Sequence, residues 1–173
     1  MIMKLWMRVL LLSMCMAGGL TACSKSENSD PTLSGEMQTV QEKANQGDAT
    51  AQIALANYYF LGNNGAEEKN PQKGIEWLQK AVDQNNAEAQ YLMSELYLTP
   101  EEYGLKPDDE KAKKLLLKSA EQDFSIAQLA AGMRYKAGVN GFPKDLVQAK
   151  MWFEKAVSTG SDSAKYQLEH INE

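Results

Sequence analysis

Few side chains in this 173-residue sequence sit where they could do covalent or acid–base chemistry. The single histidine, His170, has no serine or cysteine at a spacing that builds a nucleophile–base pair. Glu101 and Glu102 are adjacent carboxylates in a loop, an arrangement that is ordinarily hydrated rather than divided into acid and base. No His-Glu-x-x-His, glycine-rich phosphate loop or dinucleotide fingerprint occurs, so the sequence implies no metal, no cofactor and no enzyme. The two cysteines, Cys15 and Cys23, cannot form a disulfide framework. Acidic residues outnumber basic ones by 23 to 18 and the pI is near 5.0, against the basic stripe that a nucleic-acid partner requires. What remains is the thiol of Cys23 and whatever surface the chain can build.

Lys4 and Arg8 flank the start of an apolar run, Val9 to Leu20, that is short for a bilayer span and ends in small residues. That is the pattern of a secretory signal. Leu20-Thr21-Ala22-Cys23 resembles the lipobox of bacterial lipoproteins. The resemblance implies diacylglycerol on the Cys23 thiol, cleavage before that residue and often a third acyl chain on the new amino group. Ser24, where an aspartate would signal inner-membrane retention, implies the periplasmic face of the outer membrane as the destination, with inner-membrane anchoring as the alternative. The expected organisation is a signal peptide over 1–22, a polar tether over 23–35 carrying lipidated Cys23, and a folded domain over 36–173.

That domain repeats itself. Ala51-Gln52 returns as Ala89-Gln90 and Ala127-Gln128. A second register, Gly74 to Val82, returns as Ala112 to Ala120 and Ala149 to Val157, in step with the first. Each unit reads as two helices, with units over about 49–86, 87–124 and 125–161 and a partial cap over 162–173. First helices are expected over Ala49–Leu61, Ala87–Leu98 and Ile126–Ala137, stopped by Gly62, Thr99-Pro100 and Gly138. Second helices are expected to open near Pro71, Pro107 and Pro143. Small residues such as Ala56, Ser94 and Gly132 allow close approach, and Trp77, Trp152 and Phe153 supply bulk. Residues 36–47 match a second helix and 162–171 a first helix, so partial units cap the array. The fold class is all-α.

The segments Gln128 to Tyr135, Gly138-Val139, Pro143-Lys144-Asp145 and Ala149 to Val157 resemble the Sel1-like repeat family, relatives of the tetratricopeptide repeat. Unit one matches at Gly74 to Val82; unit two departs most, with Leu115-Leu116 in place of an aromatic pair. The resemblance implies a right-handed α-solenoid whose first helices line a concave face, and a non-catalytic protein–protein interaction module. It also implies two narrower functions. One is immunity against a phospholipase-type toxin delivered to the periplasm. The other is a cell-wall or β-lactam-acting hydrolase, as in cysteine-rich relatives, although the repeats here lack cysteine.

By that geometry the partner-facing positions are Asn57, Phe60 and Leu61 in unit one, Tyr91, Glu95 and Leu98 in unit two, and Met133 and Lys136 in unit three. Ile53, Thr99, Leu129 and Ala137 share those columns. Phe60 and Leu98 are the expected anchors, since an apolar residue on a wet face can seat a partner. Tyr103, in the divergent loop of unit two, is either a lid on its own helix pair or a contact. Lys111, Lys113, Lys114 and Lys118 form a positive cluster, expected to pair with Glu110 or Glu121 or to meet an anionic partner. The expected partner is a protein, an envelope component or a secreted toxin, with the membrane engaged through the lipid alone.

Overall fold

A computed structural model describes residues 35–62, 69–99 and 103–172. Within them lie eight α-helices: α1 (Gly35–Asn45), α2 (Ala49–Leu61), α3 (Pro71–Asp83), α4 (Ala87–Leu98), α5 (Asp109–Glu121), α6 (Ser125–Ala137), α7 (Leu146–Ser158) and α8 (Asp162–Glu169). Each packs on the next in chain order, so α2/α3, α4/α5 and α6/α7 are helix pairs, α1 lies on α2 and α8 on α7. No strand occurs among the described residues, and the architecture is the all-α solenoid that the repeats imply. No described helix is long and apolar enough to cross a membrane. The signal, Cys23 and the tether up to residue 34, and the Glu101-Glu102 pair, lie outside the described residues, while Gly35, the last tether position, opens α1.

The helix starts are set by side chains rather than by proline alone. Asn70, Asp108 and Asp145 accept amide protons from Lys73, Lys111 and Val147/Gln148, at 2.9–3.1 Å. Pro71 does occupy the first turn of α3, where its missing N–H costs nothing. Pro107 and Pro143 instead precede the caps, so α5 and α7 begin later than the prolines suggest. The aspartate takes the first free N–H groups, and that decides the boundary.

Two columns of complementary size hold the pairs together. The repeat register matches a small first-helix residue with a bulky second-helix residue: Ala56 with Leu78, Ser94 with Leu116, Gly132 with Phe153, all buried. In the third unit the match is a close contact, because a Cβ on Gly132 would come within 2.5 Å of the Phe153 ring. In unit one another column is reversed: Gly74 of α3 receives the Phe60 ring of α2, again at 2.5 Å. Cores packed this closely do not absorb an extra methyl without displacement.

The joints between pairs are polar. Gln52, Gln90 and Gln128 stand fourth in α2, α4 and α6 and are at most 4% exposed. Each amide nitrogen donates back to the preceding turn: to Ala44 O at 3.1 Å, to Asn85 Oδ1 at 2.8 Å, and to Ala120 O at 3.1 Å with Asp123 Oδ1 at 3.2 Å. Each amide oxygen accepts from the end of its own pair's second helix: Gln84 at 2.7 Å, Gln122 at 2.8 Å, Thr159 at 3.1 Å. Asn85 and Asp123 take positive φ in the turns, the position Gly47 and Gly160 fill elsewhere. Their side chains are thereby free to serve as acceptors, which glycine cannot be.

In the outermost helices the same columns carry charge. Lys43 of α1 stands in the column of Ala81, Ser119 and Ala156; Lys165 and Glu169 of α8 stand in those of the glutamines and of Gly132. All three are exposed, which leaves the outer sides of α1 and α8 hydrated.

The size column gives a direct prediction. Gly132→Ala should destabilise the chain by about 1–3 kcal/mol in urea unfolding despite alanine's better helix propensity. Adding Phe153→Leu, which reproduces the Ala56/Leu78 pair of unit one, should recover most of the loss; an unchanged midpoint for the single variant would show that the column is not tight.

Candidate partner-binding face

The first helices α2, α4 and α6 bring the selected positions onto one face but treat them differently. Leu61, Asn57 and Met133 are open, Leu61 being 75% exposed and Met133 49%. Leu98 is half-buried, while Thr99 and Ala137 are exposed. Ile53 is buried in the core of units one and two, so packing between repeats claims it. Leu129 likewise packs on the buried cluster that joins α7 to α8.

Phe60 does not stand open as an anchor. Its ring fills the space over Gly74 and meets Tyr103 edge to face, with centroids 5.1 Å apart. Tyr103 in turn packs against the same core, as a lid over the first two units. Both aromatics stabilise their own fold, because Gly74 offers a recess that only a ring of this size fills.

At the centre of the face, Glu95 of α4 accepts a hydrogen bond from Arg134 of α6 at 2.6 Å. The Arg134 side chain is 12% exposed and the carboxylate 38%, so the pair is partly desolvated and spans two units. Tyr91 lies beside it, half-buried against Phe124 with centroids 5.8 Å apart. Burial raises the Tyr91 phenol pKa above its ordinary value; the Glu95 charge adds to the rise and the Arg134 charge opposes it. Arg134 went unnoticed in the column reading, although it is the sole arginine of the repeat region and replaces Tyr58 and Leu96 of the earlier units.

The lysine cluster of α5 divides, with two members engaged by the fold and two exposed. Lys111 Nζ lies 4.6 Å from the Tyr97 ring centroid, as Lys73 Nζ lies 5.2 Å from Tyr59. Lys113 donates to Gly141 O at 2.9 Å, tying unit two to the loop of unit three. Lys114 and Lys118 are exposed on a broad, shallow surface shared with Asp108 and Glu110. Lys80 and Lys155 likewise cover Trp77 and Trp152 at 3.4 and 4.5 Å. No group of three His, Cys, Asp or Glu side chains able to hold a metal occurs among the described residues.

One recess opens at the far end of the face. Met133, Lys136 and Ala137 of α6, Lys144 and Leu146 of the following loop and α7, and Gln167, Ile171 and Asn172 around α8 enclose about 380 Å³. Lys136 occupies the column of Phe60 and Leu98 and donates to His170 O at 2.7 Å; Ala149 stands where unit one has Gly74. His170 therefore serves the C-terminal turn, stacked on Tyr166 with centroids 4.2 Å apart. Gly138 ends α6 in the left-handed region at φ 72°, and a Cβ there would meet Lys144 Cβ at 2.8 Å. With Asp145 N donating to Tyr135 O at 2.8 Å, that close return fixes the wall bearing Lys144.

Three regions of the sequence, 49–86, 87–124 and 125–161, match the family model of the Sel1 repeat. Over 134 residues the chain is 31% identical to chitin synthase regulatory factor 3 of Schizosaccharomyces pombe, covering 78% of this chain and 14% of that protein. It is 32% identical over 92 residues to the chitin synthase regulator SKT5 of Malassezia restricta, covering 53% and 6%. The chain thus spans a small fraction of the length of these relatives. Among solved structures, a Sel1 repeat protein from Oxalobacter formigenes superposes with a TM-score of 0.68 at 30% identity, covering 78% of this chain and 98% of that one. A protective antigen of uropathogenic Escherichia coli with an SLR fold gives 0.66 at 28%, covering 74% and 26%.

The electrostatics around Tyr91 are testable by ultraviolet titration. Glu95→Gln should move its phenol pKa down toward the ordinary tyrosine value of 10.0, and Arg134→Met should move it further up. Because the neutral phenol is favoured in the fold, its contribution to stability should be complete below 10.0 and decline as pH rises above it. An absorbance transition unchanged by both substitutions would show that the pair and the ring do not interact.

Proposed function

The chain belongs to the Sel1 repeat family, and we propose that it is a membrane-tethered, non-catalytic module that binds a protein partner on the face of α2, α4 and α6. Sel1 repeat proteins generally mediate protein–protein interaction, and the fold is typically a non-catalytic scaffold. The observation that carries the assignment to this face is a contrast between columns. Buried columns such as Ala51/Ala89/Ala127 and Gln52/Gln90/Gln128 keep one chemistry throughout, whereas the column with exposed Asn57 and Met133 and half-buried Glu95 changes at every unit. Packing constrains the first set and leaves the second to recognition.

The tether rests on the sequence. Lipidation of Cys23 would place the module at the periplasmic face of the outer membrane, since several buried acyl chains hold far more firmly than one. The partner would then be an envelope protein or a protein delivered into that compartment.

A photoreactive residue at Asn57, Leu61 or Met133 in cells should yield one dominant crosslinked protein, and the same residue at Lys114 on α5 should not. Equal capture from α5, or none from the face, would move the site elsewhere. Cys23→Ala should release the chain from the membrane fraction; continued sedimentation with membranes would refute the lipid anchor.

A further inference from the structure

The recess between α6 and α8 differs from the rest of the face in a way that specifies its occupant. Its open walls are aliphatic or thioether: Met133 and Leu146 line it and are exposed. Lys136 and Lys144 are its charged lining residues, and no carboxylate is among the described residues that line it. This occurs in a protein with a net charge of −5. Lys136 commits one of its three donors to His170 O, leaving two for a ligand. Lys144 is held in place by the return of the loop onto Gly138. The side-chain amides of Gln167 and Asn172 add donors and acceptors suited to a peptide backbone.

We propose that this recess docks an extended peptide segment combining aliphatic side chains with a carboxylate. The proposal rests on the protein-binding reading of the first-helix face and names the chemistry of the partner at its far end. About 380 Å³ accommodates side-chain-sized groups. Aliphatic groups remove Met133 and Leu146 from water, and the carboxylate meets the two ammonium groups that no described lining residue neutralises. A lipid headgroup layer offers the same charge but is flat and cannot enter a recess walled on both sides by helices.

The test uses the full chain with isotope-labelled methionine and isoleucine methyls, titrated with acetyl-Leu-Glu-Val-Leu-Glu-amide and with its glutamine counterpart. The Met133 and Ile171 methyl signals should move saturably with the glutamate peptide. The glutamine peptide should bind about two- to five-fold more weakly, and added salt should narrow that gap. Lys144→Glu, with an unchanged thermal midpoint, should reverse the preference toward a lysine-containing peptide. Equal affinity for the glutamate and glutamine peptides would overturn the proposal, as would signals that stay fixed with peptide or move only with anionic phosphatidylglycerol vesicles. None of these failures bears on crosslinking from Asn57 or Leu61, so the broader reading of the face stands or falls separately.

Discussion

Gln52, Gln90 and Gln128 are each buried where a helix pair meets the helix before it, and the stack depends on their carboxamides being satisfied at both ends. A buried amide left unpaired costs about 1–3 kcal/mol, so each glutamine is an asset only in the correct register. Its nitrogen recognises the turn before it and its oxygen the helix end after it. A slip of a pair against the helix before it would strand the nitrogen, and a slip of the two helices within the pair would strand the oxygen. Apolar surface drives the helices together, but it is directionless; the glutamine joints set the angle at which successive pairs meet.

The size-matched columns act within pairs as the glutamines act between them. Ala56/Leu78, Ser94/Leu116 and Gly132/Phe153 stand at equivalent buried positions of the three units and divide small and large differently. A scaffold fixed in both directions frees the remaining first-helix surface from structural duty, and there the chain varies: an exposed asparagine, a glutamate paired to an arginine, a methionine beside two lysines. The side chains that bear on function are thus displayed by a frame that does not need them.

Much of this was legible in the sequence because repetition prints a structural role several times. The spacing of Ala51-Gln52 and of Gly74 to Val82 set out three helix pairs, and Gly62, Thr99 and Gly138 marked their first-helix ends. The role of the glutamines was not legible, since their partners stand both 5–8 residues before and 31–32 residues after them. Features present in one unit alone were hardest to see. Phe60 read as an exposed anchor because nothing in its own helix revealed that Gly74 opens a recess for it. The Glu95–Arg134 pair joins positions 39 residues apart with no counterpart elsewhere, and the Lys136–His170 link spans 34. Repetition exposes the frame; departures from it need coordinates.

The most direct test of the frame is hydrogen exchange at the side-chain amides of Gln52, Gln90 and Gln128, followed by nuclear magnetic resonance in the folded protein. If these groups are the joints, their Nε2 protons should exchange only through opening of the stack, as slowly as the core backbone amides of α4 and α6. Exchange at the rate of an exposed glutamine such as Gln72 would contradict the account, because it would mean that the pairs hold their angle without them.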